Sequence, residues 1–452
     1  MNDYLNNDNK KMKLAMFLVT GYGGEQLSWR YEDSDPKAYT NVNTFIELAK
    51  LAEKGKFHTL FIADTPAKVG AGVSGSVDRK TPQFVMEPMT LLSAVASHTE
   101  KIGLVATYST TYNFPYNLAR QLKALDVMSG GRAGWNAVTT GTREVAYNFG
   151  NNPLPDTTTR YEMADEMINA VQSLWGSFGE DAYIADKATG EFVEDSKVKP
   201  VNYQGKYFQT KGPLPIPASP QGQPPLFQAG PSPEGIELAG KFSSGVYANP
   251  FTIQEARYYR NLLKESAVRH GRKADEIMTF TGVMVAVADT YEEAMERRRE
   301  LLDYASPQEF EGQMRYLSGM IGINLMQLDW EKPLPKSIRD QAVPNHHDPR
   351  SANAVQLIKE GLSPRDVIAR GAIYYHPVVV GTPEDAADFL ENWFKSGATD
   401  GFNIVPDSQK GVKDIVEKLI PVLQERGLFH EDYEGSTLRE HLGVEKQYGP
   451  RE

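Results

Sequence analysis

The sequence predicts an α/β fold built from repeated strand–helix units, and three observations support this prediction. From Lys13 onward, short apolar runs alternate with segments that carry a helical period, as expected of βα repeats. Pro and Gly stand where helices are expected to start and stop. No repeat on the scale of a solenoid is present besides this alternation. Consecutive βα units leave two architectures open, a closed barrel and a doubly wound sheet.

The first four units occupy the amino-terminal part of the chain. Each predicted strand is a short run of buried-type residues, and each predicted helix shows an apolar face. Pro115 suits the first position of its helix, where its missing N–H is not needed, and Gly55 suits the end of the first helix. The predicted strands are 14–19, 59–63, 102–107 and 132–138, and the predicted helices are 41–55, 87–98, 115–128 and 160–175.

Two stretches interrupt the alternation in the second half of the chain. Residues 176–225 are rich in Pro, Gly and charge with hairpin-like apolar pieces, and residues 306–375 are predicted to be irregular, as a lid or substrate-selecting segment. We interpret both as insertions in one catalytic domain, residues 13–443, between a disordered lead-in (1–12) and a tail (444–452). The remaining predicted strands are 226–229, 245–248, 278–288 and 402–405, with late helices at 383–395 and 410–426.

Composition excludes several classes of function. The 452 residues contain no Cys, so disulfide scaffolds, Cys-ligated zinc and Cys nucleophiles are excluded. The net charge of −11 gives no support for a nucleic acid or an anionic membrane as partner. No apolar run approaches the roughly 20 residues of a membrane helix, and the N-terminus lacks the apolar segment of a signal peptide. We therefore expect a cytoplasmic protein.

Two motif-like patterns are interpreted as ordinary loops. Gly70, Gly72 and Gly75 form a G-x-G-x-x-G, but no helix pattern follows to receive a pyrophosphate, so a flexible loop is favoured over a dinucleotide site. His346 and His347 are adjacent in a Pro-flanked loop and point apart, so no metal site is predicted. Neither a G-x-S-x-G elbow nor a Walker A sequence is present.

Polar residues at the ends of predicted strands are better candidates for a site. Asp64, Thr107 and Asn136 lie at or near the ends of the second, third and fourth strands, where barrel active sites assemble. Ser232 follows the fifth strand and Gly230, in a segment with the form of a phosphate cradle at a helix start. Taken singly, Asp64 could be a loop-fixing carboxylate and Ser232 a plain N-cap; together they indicate a ligand site.

At these residues the chain resembles the bacterial luciferase-like flavin monooxygenase superfamily, in the group that contains nitrilotriacetate monooxygenase, pristinamycin synthase and dibenzothiophene sulfone monooxygenase. The matching runs are collinear over nearly the whole chain, and their combination is specific although each is weak alone. They include residues 53–57 (EKGKF), 61–64 (FIAD), 87–88 (EP), 102–112 (IGLVATYSTTY), 125–136 (LDVMSGGRAGWN), 160–165 (RYEMAD), 228–230 (QAG), 381–383 (GTP), 400–402 (DGF) and 437–443 (TLREHLG).

The resemblance implies a luciferase-like (β/α)8 TIM barrel that binds FMN at its C-terminal mouth. Asp64, Thr107, Tyr161 and Ser232 match flavin-contacting positions, and Asn136 lies in the matching GWN segment. It further implies a two-component enzyme that takes reduced FMN (FMNH2) from a separate NAD(P)H:flavin reductase and uses O2 as co-substrate. Oxygenation of a small molecule next to N or S, often with C–N or C–S cleavage, is the usual outcome in this group. We also expect a homodimer or homotetramer.

Three further positions carry open alternatives. Thr157 stands where related enzymes commonly have His, so its role towards the cofactor is open, and His376 is a speculative replacement for that imidazole. Arg30, beside Trp29, is a candidate clasp for a substrate carboxylate or sulfonyl group, or it pairs with Glu32 or Asp33 on the rim. A deazaflavin-dependent oxidoreductase and a non-catalytic flavin-binding protein remain as alternative functions.

Overall fold

A closed ring of parallel strands forms the centre of the molecule. The computed structural model describes residues 10–18, 20–25, 27–67, 82, 86–150 and 153–451. Its strands are β1 (Lys13–Phe17), β2 (Thr59–Ile62), β3 (Gly103–Ser109), β4 (Ala133–Val138), β5 (Tyr203–Gln204), β6 (Gln209–Thr210), β7 (Leu226–Gln228), β8 (Gly245–Ala248), β9 (Met278–Val287), β10 (Val378–Gly381) and β11 (Gly401–Pro406). Eight of them pair in the order β1-β2-β3-β4-β7-β8-β9-β11, and β11 returns to β1. The closed barrel is confirmed, and the doubly wound sheet is wrong.

Strand β9 is long enough to pair with two different strands on one side. Its residues Met278–Thr281 pair with β8, and its residues Met284–Val287 pair with β10. Strand β10 was not predicted, because a run of four residues gives too little pattern to distinguish a strand from a loop. Since β8 ends opposite Thr281 and β10 begins opposite Met284, a gap separates β8 from β10 along β9. Gly282 of β9 lies opposite that gap.

Helices surround the barrel, and their starts follow local capping signals. α3 and α13 begin at Pro115 and Pro383 as predicted, whereas α5 begins earlier than predicted because the Asp156 side chain accepts a hydrogen bond from the Thr159 N–H at 2.9 Å. The helices are α1 (Val42–Lys54), α2 (Pro88–Ala96), α3 (Pro115–Met128), α4 (Arg143–Asn148), α5 (Thr157–Trp175), α6 (Pro233–Phe242), α7 (Ile253–Arg269), α8 (Tyr291–Tyr304), α9 (Pro307–Ile321), α10 (Lys336–Arg339), α11 (Ser351–Glu360), α12 (Pro364–Ala369), α13 (Pro383–Lys395), α14 (Gln409–Asp414), α15 (Ile420–Glu425) and α16 (Leu438–Leu442). A π-helical turn, Ile415–Leu419, joins α14 to α15.

Aromatic side chains fill the barrel interior. Phe61 stacks on Tyr247 with ring centroids 4.0 Å apart, and Phe227 and Phe280 pack against Tyr247 from neighbouring strands. Leu438 of α16 belongs to the same buried cluster. It lies so close to the start of β3 that a Cβ at Gly103 would be 2.5 Å from its Cδ1. The C-terminal segment therefore closes the N-terminal end of the barrel, and space for a ligand is left at the opposite end.

The segment 306–375 differs from its prediction. It is not irregular: it holds α9 to α12, which share a hydrophobic core of their own around Met314, Leu317, Leu325 and Ile358. Left-handed glycines end α9 and α11, and α10 and α12, with four and six residues, are too short for an apolar period to stand out. Residues 176–225, by contrast, are mostly irregular and contain the short β5–β6 hairpin.

Two predictions for the terminal and loop regions fall on residues that are not described. The glycines 70, 72 and 75 lie outside the described residues, as does most of the predicted lead-in, residues 1–9. At the other end, Val444 is buried in the barrel cluster. No helix in the described part of the chain is both long and apolar enough to span a membrane.

Candidate active site

Polar side chains of three neighbouring strands meet at the mouth, the opening of the ring at the C-terminal ends of its strands. Thr107 of β3 and Asn136 of β4 are in register, and the Asn136 amide donates to the Thr107 hydroxyl at 3.0 Å. That hydroxyl in turn donates to the carbonyl of Ile62 at 2.8 Å, two residues before Asp64. The hydrogen bonds thus link β2, β3 and β4 and bring Thr107 and Asn136 together, and Asp64 follows the linked Ile62 by two residues.

The Asp64 carboxyl lies in an environment that favours its protonated form. Burial is the main cause and the nearby Glu87 carboxylate the second, and together they raise the pKa of Asp64 to about 6. Glu87 is fixed in place as the N-cap of α2, where it accepts from the Met89 and Thr90 N–H groups at 3.1 and 2.7 Å and from the Tyr108 hydroxyl. A ligand group that donates a hydrogen bond to Asp64 would relieve this unfavourable burial of charge.

We expect Asp64→Asn to be more stable than the native protein at pH 8 and of similar stability near pH 4. The folded-state pKa of Asp64 is raised above its unfolded value, so the folded protein loses stability as pH rises through that window. Asn cannot ionise and escapes this loss, which amounts to about 1–2 kcal/mol after allowance for partial solvent screening. Urea unfolding of both proteins at pH 4 and pH 8 measures the difference. An equal effect at both pH values would contradict this assignment.

A second group of residues forms a concave turn after β7, which we call the cradle (residues 230–235 with the Tyr161 side chain). Ser232 caps α6 by accepting from the Gly235 N–H at 3.1 Å, and its hydroxyl donates to the Tyr161 hydroxyl at 3.3 Å. Tyr259 of α7 donates to the Gly230 carbonyl at 2.9 Å. Ser232 is therefore an N-cap and also a neighbour of Tyr161, at the positive end of a helix where anions are favoured.

Glycine is required twice in the cradle because the chain approaches itself closely there. A Cβ at Gly235 would lie 2.6 Å from the Gly230 carbonyl oxygen, and a Cβ at Gly230 would lie 2.7 Å from the Gln228 amide nitrogen and 3.0 Å from the Tyr161 hydroxyl. The cradle can keep this shape because neither Gly230 nor Gly235 has a Cβ.

Thr157 is the first residue of α5, one turn before Tyr161. Its hydroxyl accepts from Arg160 at 3.3 Å, and the Arg160 guanidinium also donates to the carbonyls of Thr139 and Pro155 at 3.1 and 2.5 Å. Arg160 therefore ties α5 to the loop that follows β4. Its described hydrogen bonds go to backbone carbonyls and to Thr157, so it also brings a positive charge to the end of α5 that carries Tyr161.

Arg30 and the His346–His347 pair lie apart from these two groups. The Arg30 guanidinium stacks over the Tyr304 ring, 4.4 Å from its centroid, and donates to the Tyr304 carbonyl at 2.7 Å. His347 lines a cavity of about 600 Å³ together with Arg350 and Tyr316. Among the described residues, no group of three or more potential His or carboxylate ligands is arranged for a metal ion.

Unpartnered polar atoms lie above the aromatic layer of the barrel. Oδ1 of Asn136, Oδ1 of Asn403 and Nδ1 of His376 are buried without a hydrogen-bond partner among the described residues. Leaving such an atom unpaired costs about 1–3 kcal/mol, so a bound group that pairs with it would be favoured. A cavity of about 510 Å³ is lined by Asn249, which lies beside His376, by Gly230 and Tyr259, and by Pro349 and Tyr375 of the segment 306–375.

Sequence reasoning missed several of these residues. Glu87 and Gly235 lie in motifs that were noticed, Glu87-Pro88 and the Ser232 turn, and their roles could have been inferred from capping and from the spacing of the glycine. Asn249 and Tyr259 carry no such signal, because the folding of the chain alone brings the end of β8 and the side of α7 to the mouth.

Comparison with known proteins finds similarity over nearly the whole chain. The family model described as luciferase-like monooxygenase matches residues 12–400. The chain is 39% identical to N-acetyl-S-(2-succino)cysteine monooxygenase of Bacillus subtilis (strain 168), with 97% of each chain covered. It is 36% identical to nitrilotriacetate monooxygenase component A of Aminobacter aminovorans, covering 96% of this chain and 97% of that protein. A crystal structure of riboflavin lyase, with modified FMN and substrate riboflavin, superposes with a TM-score of 0.77 at 29% identity and 97% coverage of both chains.

Proposed function

This chain belongs to the luciferase-like monooxygenase family and is a monooxygenase, and we propose that it uses reduced FMN and O2 to oxygenate a small organic substrate next to N or S. The oxygenation ends in cleavage of the C–N or C–S bond in suitable substrates. The reduced FMN comes from a separate NAD(P)H:flavin reductase. The name of one relative, nitrilotriacetate monooxygenase component A, supports such a division of the reaction between two proteins.

Two neighbouring features carry the proposal. One is the set of polar side chains on and after β2, β3 and β4, which includes the unpartnered Asn136 Oδ1. The other is the cradle after β7, the strand that pairs with β4. The flavin ring has hydrogen-bond donors and acceptors along one edge, and these suit Asp64, Thr107 and the unpartnered Oδ1 of Asn136. The phosphate of FMN suits Ser232 and Tyr161 at the start of α6. Thr157 accepts a hydrogen bond from Arg160 and would influence the phosphate site by orienting that guanidinium, next to Tyr161 in the chain.

The residues of the chain would then bind, orient and shield the reactants. Reduced FMN, when bound, supplies the electrons and the O2 activation that the protein side chains lack. Asp64 and Asn136 hold the polar edge of the ring, while the cradle fixes the phosphate. Pro349 and Tyr375 wall the 510 Å³ cavity, so the loops before α11 and after α12 would form part of the enclosure that keeps water from the reacting atoms.

Coupled turnover tests the proposal directly. The protein, a flavin reductase, NADH, FMN and O2 are combined with N-acetyl-S-(2-succino)cysteine, nitrilotriacetate, dialkyl sulfides or alkanes, and products are measured by mass. We expect products carrying one added oxygen atom, or the fragments of C–S or C–N cleavage, only when reductase and FMN are both present. Full activity with reduced deazaflavin in place of reduced FMN, or consumption of O2 without an oxygenated product from any substrate, would overturn the proposal.

A further inference from the structure

His376 enters the barrel through the gap between β8 and β10. It lies two residues before β10, opposite Gly282, at the point where β9 changes partners. A Cβ at Gly282 would lie 2.4 Å from the His376 Nδ1 and 2.7 Å from the Asn249 Oδ1. Gly282 continues the alternation of the inward-facing Phe280, so the imidazole fills interior space that a side chain of β9 would otherwise occupy.

The imidazole is buried, and no charged side chain contributes to the shift of its pKa. His376 is 8% exposed, and its Nδ1 has no hydrogen-bond partner among the described residues. The rings of Tyr375 and Tyr374 lie beside it, with centroids 5.0 and 6.0 Å away. Burial alone lowers the pKa of His376 to about 4, so the ring is neutral at physiological pH. A structural role would be expected to satisfy the ring nitrogen, and here it is left unpaired.

The neighbours of His376 line two cavities, one on either side of it. Asn249 and Tyr375 line the 510 Å³ cavity beside the cradle. Tyr374 and Tyr375 line a second cavity of about 450 Å³ on the side of the loop after β1, and the Tyr374 hydroxyl donates to the Gly24 carbonyl at 2.8 Å. His376 therefore lies between the two spaces, on the part of the mouth away from Asp64.

Building on the proposed function, we propose that His376, with Asn249 beside it, contacts the substrate and selects an uncharged hydrogen-bonding group, such as an amide, at that position. A neutral imidazole offers one donor and one acceptor. A carboxylate would find no compensating charge from it. The unpaired Nδ1 of His376 lowers the stability of the unliganded protein. The bound substrate would supply its hydrogen-bond partner.

His376→Leu separates this role from a structural one. Leu removes the unpaired nitrogen, so we expect a melting temperature equal to or above that of the native protein. We expect kcat/KM for the best substrate to fall about tenfold, through KM more than kcat, as for loss of one neutral hydrogen bond and the unpaired group it leaves, and the Kd for FMN to change less than twofold. His376→Gln, which keeps a donor and an acceptor, should restore part of the loss.

Two glycine substitutions provide a second test and its control. Gly282→Ala should displace the imidazole and reproduce the KM effect, whereas Gly312→Ala in α9, where a Cβ would meet nothing within 4 Å, should leave turnover unchanged. Unchanged KM in His376→Leu, or a clear loss of stability in that variant, would overturn the inference while leaving the proposed function intact. A native protein that oxygenates nothing in the coupled assay would overturn the proposed function and this inference together.

Discussion

Gly235→Ala is expected to weaken FMN binding by about 100-fold, which corresponds to about 2.7 kcal/mol. The new Cβ would lie 2.6 Å from the Gly230 carbonyl oxygen, and backbone atoms cannot rotate away as a side chain can. The turn must open, which disturbs the bond from Tyr259 to Gly230 and the Ser232 cap together. Titration of FMN by fluorescence quenching measures the change.

The matched control is Gly319→Ala, another glycine within a helix. A Cβ there meets nothing within 4 Å, so this variant should bind FMN like the native protein and be slightly more stable, because Ala favours the helix. Near-native FMN affinity in a folded Gly235→Ala protein would show that the phosphate does not occupy the cradle. A similar loss in both variants would point to a general effect of helix substitution.

Asp400→Asn is expected to reduce the free energy of unfolding by about 3–5 kcal/mol at pH 7. Asp400 accepts from Arg260 at 3.0 and 2.6 Å and from the Thr279 N–H at 2.9 Å, and Lys264 lies 3.5 Å away. All of these groups are buried. Asn would remove the negative charge that Arg260 and Lys264 share in the interior, between α7 and the start of β11.

The pH dependence of this effect has a definite sign. The attraction of Lys264 and Arg260 lowers the pKa of Asp400 well below its ordinary value, against the opposing effect of burial. Its contribution is therefore fully present above the unfolded pKa and is lost as pH falls. Urea unfolding should show a large difference between the native protein and Asp400→Asn at pH 7 that narrows towards pH 3. Asp388→Asn, at an exposed pair with Arg426, should change stability by less than about 1 kcal/mol.

Local signals in the sequence were sufficient for most of the barrel. Pro115 and Pro383 mark the starts of their helices because an α-helix tolerates proline only in its first turn. Strands such as Gly245–Ala248 were recognised because they are short apolar runs between helices. Such signals involve residues close together in the chain. They fail for α10, α12 and β10, where each element is too short to show its own period. They also missed α9 and α11, although these helices have 15 and 10 residues.

In the candidate site, the residues could be predicted from the sequence, but their contacts could not. Asp64, Thr107, Asn136 and Ser232 could be predicted because active sites in barrels assemble at strand ends, and each of these residues stands at or near such an end. Their actual contacts, including the bond from Asn136 to Thr107 and that from Ser232 to Tyr161, depend on register between strands and on helix packing. Arg30 shows the limit of such reasoning, since the structure engages it with Tyr304, distant in sequence.

By itself, the sequence determined the alternation of strands and helices, the exclusion of Cys chemistry and the strand ends from which a site could be built, because each follows from the nature and spacing of nearby residues. The tertiary structure decided that the sheet closes, that burial and the nearby Glu87 raise the pKa of Asp64, and that His376 fills the space left by Gly282. These features depend on distances between residues far apart in the chain, and such distances are fixed only when the whole core packs.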